Sequence, residues 1–133
     1  MTRRKINQKE NKQDQHPRKQ RLKEEAEKLQ ALSAAAEREK FGKFLNELEL
    51  YLEIFERGSS DLNSALTEIN AGKDLTALVF LKQARALFED GALKARSLRD
   101  NTSNSLWREE ADKLVRAGIL FGEGVKAYSN AVV

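Results

Sequence analysis

The 133-residue chain contains no cysteine, one histidine and one proline. Without cysteine there is no disulfide scaffold, no thiolate metal site and no cysteine nucleophile. The histidine, His16, sits in a polar stretch, so mechanisms that need a packed imidazole are lost as well. One proline among seven glycines, with 34% charged and 7% aromatic residues, disfavours a turn-rich β fold and favours long helices. Long apolar runs are missing too. The longest, Ala77-Leu78-Val79-Phe80-Leu81, falls far short of the roughly 20 residues a membrane span needs. The N-terminus, MTRRKINQKE, lacks the apolar segment of a signal peptide. The expectation is a cytoplasmic protein with no cofactor.

What is present is an uneven charge. Residues 1–23 hold nine Lys/Arg against two acids, net +7, while residues 24–133 hold fifteen against nineteen, net −4. The basic residues Arg3, Arg4, Lys5, Lys9, Lys12, Arg18, Lys19, Arg21 and Lys23 form an electrostatic footprint suited to an anionic partner. Before Leu22 the segment has almost nothing to bury, so residues 1–17 are expected to be a disordered arm. With no aromatic residue before Phe41, base stacking is unavailable to it, and nucleic-acid binding would be driven by phosphate contacts.

From Pro17 onward the pattern is helical. RLKEEAEKLQALSAAAEREK is rich in strong helix formers and carries the favourable pair Glu24→Lys28. Leu22, Ala26, Leu29 and Ala36 share a stripe, expected to form a helical extension over 18–40. Phe41, Leu45, Leu48, Leu52 and Phe55 form another, out of phase with the first near Lys40-Phe41-Gly42. Gly58-Ser59-Ser60 reads as a break before a short helix over 61–71, and Gly72 as the residue that closes it. Asp74 is placed as the cap of a long helix with core stripe Ala77, Leu81, Ala84, Phe88, Gly91, Ala95 and Leu98. Asp100-Asn101-Thr102-Ser103-Asn104-Ser105 is a polar loop. The last helix is expected to face inward with Trp107, Ala111, Leu114, Gly118, Phe121, Val125 and Tyr128, and to kink or fray at Gly122-Glu123-Gly124; the alternative is that Gly118-x-x-x-Gly122 lets another helix approach closely. The sum is an all-α antiparallel bundle of about four helices over 41–133.

LKQARALFEDGALKARS has the small-large spacing of a tetratricopeptide helix. Helix starts near 61, 74 and 105 do not give that family's period of about 34 residues, so the likeness goes no further. A carboxylate-bridged metal pair in a four-helix bundle needs two Glu-x-x-His motifs, and one histidine excludes it. Glu49, Glu53 and Glu56, and Glu109, Glu110 and Asp112, read as solvated faces rather than catalytic carboxylates. Apolar residues off the main stripes, Leu50 and Ile54 on one helix and Leu75, Val79 and Leu93 on another, point to a contact surface. The function expected is therefore a non-enzymatic interaction protein. It binds a protein partner or a second copy through apolar helix faces, with a basic arm for an anionic surface. The alternative is an accessory nucleic-acid-binding protein that uses the arm.

Overall fold

In the computed structural model the backbone is described for residues 2–132 and the side chains for residues 17–132. Three helices account for the fold: α1 (Thr2–Asn70), α2 (Asp74–Asp100) and α3 (Ser105–Val132), with no strand among the described residues. The chain divides into two compact units, Met1–Gly42 and Lys43–Val133. The division falls where the two apolar stripes go out of phase. The expected disordered arm over 1–17 falls, apart from Pro17, on side chains outside those described; Pro17 lies within α1.

Within the second unit, the expected break at Gly58-Ser59-Ser60 does not occur. The three residues lie inside α1, so two of the four expected helices are one. The reason is a tertiary contact. A Cβ placed on Gly58 would stand 3.0 Å from the Phe88 ring of α2. The glycine lets a large aromatic side chain lie directly on the helix backbone, at a propensity cost of about 1 kcal/mol.

The real end of α1 is a glycine cap. The Gly72 N–H donates to the Ile69 carbonyl at 3.0 Å and the Lys73 N–H to the Glu68 carbonyl at 2.8 Å. Gly72 takes φ +77°, the left-handed conformation that this double bond pattern requires and that other residues adopt at a cost. α2 then starts with Lys73 at the cap position and no side-chain cap; Asp74, expected as the cap, instead sits in the first turn, where its charge suits the helix dipole. Asn104 caps α3: its Oδ1 accepts from the Leu106 N–H at 3.0 Å and the Trp107 N–H at 3.2 Å.

Chain direction follows from the contacts. Phe55 lies by Gly91 and Gly58 by Phe88, so α1 and α2 are antiparallel. Gly118 lies by Ala92 and Gly122 by Glu89, so α2 and α3 are antiparallel as well. Phe44 stacks on Trp107 and Phe55 meets Gly118, so α1 and α3 run parallel. The second unit is thus an up-down-up three-helix bundle.

Its core is built from alanines and a few large rings. Phe55, Ala65, Ala77, Leu81, Ala84, Phe88 and Val125 form the central cluster. On α2 the buried residues include Ala77, Leu81, Ala84, Phe88, Gly91 and Ala95, as their 4-3 spacing implies. Phe88 and Leu81 are the largest fully enclosed side chains, each contributing about 2–3 kcal/mol through burial.

On α3 the inward stripe keeps Ala111, Gly118 and Val125 of the expected one and differs at the large residues. The buried residues are Ala111, Val115, Gly118, Gly122 and Val125, while Phe121 and Tyr128 are exposed and Leu114 is half-buried. The helix is continuous through Gly122 and Gly124, so the expected kink is absent. Small residues face inward because α2 approaches so closely that larger ones do not fit.

Candidate functional site

Rotation of α3 relative to its expected face moves aromatic and aliphatic side chains to the seam with α1. Leu62 and Leu66 of α1 and Leu120, Phe121, Gly124, Val125 and Tyr128 of α3 line a groove of about 310 Å³, with Phe88 at its floor. No charged residue contributes to the lining. Phe121 stands 54% exposed, yet its ring is fixed by Phe88, with centroids 5.3 Å apart and planes tilted by 39°. Phe88 in turn meets Phe55 at 6.0 Å. Such tilted pairs are favourable beyond the area they bury, so an exposed ring is anchored through a chain of buried ones.

Gly124 keeps one wall of the groove low, since nothing lies within 4 Å of where its Cβ would be. Leu45, Leu52 and Leu66 of α1, seven residues or multiples of seven apart, are also exposed. They continue an apolar line along that side of the helix. A second groove of about 300 Å³ lies between α2 and α3, where Leu93, Ala92, Val115 and Ile119 are flanked by Glu89 and Arg96.

The residues singled out from sequence are placed as follows. Leu50, Leu75, Val79 and Leu93 are exposed, and Ile54 is half-buried. Leu75 is 82% exposed, the barest large apolar side chain described. Leu75, Val79 and Leu93 share the outer side of α2, whereas Leu50 and Ile54 belong to α1. Arg18, Lys19, Arg21 and Lys23 are exposed on the first unit, and Arg3, Arg4, Lys5, Lys9 and Lys12 lie outside the described side chains. The α1/α3 groove was not among the expected surfaces. Its signal is the row Ala117, Phe121, Gly124, Tyr128, but large side chains at helical spacing read first as core.

Electrostatics near the bundle are structural in character. Arg99 of α2 donates to Asp112 of α3 at 2.6 Å, and Arg116 also reaches Asp112 at 2.6 Å. The Arg99 hydrogen bond, more than the nearby charges, holds the Asp112 carboxyl below its ordinary value. Burial, followed by the charge of Glu47 and the 3.2 Å hydrogen bond to it, raises the Tyr51 hydroxyl. Among the described residues no polar or charged side chain is buried, and no group of three or more His, Cys, Asp and Glu is placed to hold a metal. Among them, too, no helix is long and apolar enough to cross a membrane.

Fold and surface together define an all-helical protein whose bundle presents a shallow apolar groove beside a parallel helix pair. No protein-family model, curated protein or solved structure matches the chain.

Proposed function

We propose that this chain is a non-enzymatic interaction protein of the cytoplasm whose three-helix unit receives an amphipathic helix of a protein partner between α1 and α3. The observation that carries the reading is Phe121: half of an aromatic ring exposed, held rigid by Phe88, and flanked by Leu66, Leu120 and Tyr128. A rigid aromatic anchor in an uncharged groove suits a helix that presents apolar residues at i, i+3, i+4 and i+7. No cofactor enters this reading. Leu75, Val79 and Leu93 on α2, and Leu50 with Ile54 on α1, are further apolar surface for the same kind of contact.

A second reading uses the basic residues at the N-terminus for an anionic surface, nucleic acid included. It is favoured by Arg18, Lys19, Arg21 and Lys23, a run of four exposed cations with no acid among them.

The test separates the two. Leu120→Glu with Phe121→Glu places charge on groove residues that are already exposed, so the bundle stays folded. Partner binding is lost in this variant and kept when residues 1–23 are deleted. The opposite pattern, with steep salt dependence, favours the anionic reading.

A further inference from the structure

The side of α1 that leads into the groove carries charge of one sign. Leu45, Glu49, Leu52 and Glu56 follow one another at 4-3-4 spacing, and Ser59, Asn63 and Leu66 continue the line. All seven are exposed. Glu49 and Glu56 thus stand on the apolar line itself, one heptad apart, about 10 Å along the helix axis. Neither has a cation three or four residues away, where a helix would pair it. Among the described residues neither makes an ion pair or a hydrogen bond. Lys43 and Arg57, the cations of α1 in this unit, lie off the line.

α3 offers no answering charge. Leu106, Glu110, Lys113, Ala117, Leu120 and Gly124 repeat the 4-3 spacing on its side of the seam. The cation there, Lys113, is already held by Glu110 at 2.8 Å. The flank on α3 is therefore balanced and the flank on α1 is acidic. Leu66 and Glu49 are about 26 Å apart along α1, so a helix of about 20 residues spans both. Seated on Leu66, Leu120 and Phe121, it takes water from around Glu49 and Glu56. Neutral flanks on that helix would leave the two carboxylates partly desolvated and unpaired, and acidic flanks would repel them. Cationic flanks turn the same two groups into charge-assisted pairs.

We infer that the helix received by the α1/α3 groove is a basic one. It presents two lysines or arginines, seven residues apart beside its apolar face, to Glu49 and Glu56. The inference rests on the groove reading and adds the partner's chemistry to it.

Two synthetic 21-residue helical peptides with leucine along the apolar face serve as probes. They are identical except at two flanking positions seven apart, which hold lysine in one and glutamine in the other. Binding to the full-length protein is read by fluorescence anisotropy at about 50 mM salt, where exposed charges are weakly screened. The lysine peptide should bind about fivefold or more tighter than the glutamine peptide. Glu49→Gln with Glu56→Gln alters exposed side chains, so the bundle stays folded, and on this variant the two peptides should bind alike. The cycle cancels differences in the peptides' own helicity and in their attraction to the rest of the chain. A preference for lysine that is as large on the variant as on the parent, or no preference on the parent, overturns the inference while leaving the groove in place. The groove reading fails separately, and the inference with it, when neither peptide saturates the parent or when Phe121→Glu binds both as tightly.

Discussion

A methyl group on Gly118 would stand 2.8 Å from the Cβ of Ala92 and 2.9 Å from the carbonyl oxygen of Phe88. Neither neighbour can move aside without shifting α2. Gly118→Ala is therefore expected to destabilise the bundle by about 1–3 kcal/mol through overpacking, although alanine is the better helix former. Gly124→Ala, six residues along the same helix and with nothing within 4 Å, is expected to stabilise by about 0.5–1 kcal/mol. Denaturant melts of the two variants should move in opposite directions. Equal shifts would mean that helix propensity alone governs α3.

The two rings of the tilted Phe88–Phe121 pair should part company on mutation. Phe88 is 1% exposed, so Phe88→Ala should cost about 3–5 kcal/mol and threaten the fold. Phe121→Ala, removing a ring already half in water, should cost about 1 kcal/mol. Comparable losses in chemical denaturation would place Phe121 in the core after all.

How much of this was legible in the sequence varies by helix. The face of α2 was, because its stripe mixes alanines with Leu81 and Phe88 at uninterrupted 4-3 spacing, whereas Leu75, Val79 and Leu93 on the outer side are interspersed with Lys82, Asp90 and Ser97. The face of α3 was legible in part: Ala111, Gly118 and Val125 are buried as their spacing implies, and Gly118-x-x-x-Gly122 marks a close approach, but Phe121 and Tyr128 are exposed. Hydrophobicity favours Leu114 and Phe121, whereas close approach to α2 needs Val115, Gly118 and Gly122, and space is a property of the pair of helices rather than of either alone. The candidate groove was missed for the same reason, since its aromatics had been assigned inward. Gly58-Ser59-Ser60 carries a strong local breaking signal, and only the Phe88 ring resting there reveals why the helix continues. Gly72, by contrast, is read correctly from local chemistry because its role is local.

The link from Arg99 to Asp112 gives a pH dependence of definite sign. Because the Asp112 carboxyl is held below its ordinary value of 3.8, its contribution to stability is fully present above that value. It is lost as pH falls through the lower folded-state value. Asp112→Asn should thus be less stable than the parent at neutral pH, with the gap closing in acid below about pH 4. A gap that is constant from pH 7 to pH 2 would assign the loss to packing instead.

Capping supplies a further check. Asn104→Ala removes an acceptor serving two N–H groups at the start of α3. It should cost about 1 kcal/mol and shift the thermal midpoint by several degrees. Asn104→Asp should restore most of it. Failure of aspartate to rescue would show that the side chain acts otherwise than as a cap.

Residues 1–23 carry a net charge of +7, which makes the anionic reading testable by salt alone. Binding to a mixed-sequence DNA duplex, measured by anisotropy, should be indifferent to sequence, fall steeply between about 50 and 200 mM salt, and vanish on deletion of 1–23. Binding that survives the deletion would remove the arm from the account.

The claim that the α1/α3 groove is the binding surface is tested most directly by photo-crosslinking from position 120. A photoreactive amino acid replaces Leu120 in one full-length protein and Lys82, an exposed position on α2, in another. After irradiation in native lysate, the Leu120 protein should give one dominant adduct. Its attached peptide should map to an amphipathic helix, and a synthetic copy of that peptide should bind saturably to the parent and not to Phe121→Glu. The Lys82 protein should not give this adduct. Identical adducts from both positions, or a peptide that binds Phe121→Glu as tightly as the parent, would contradict the account.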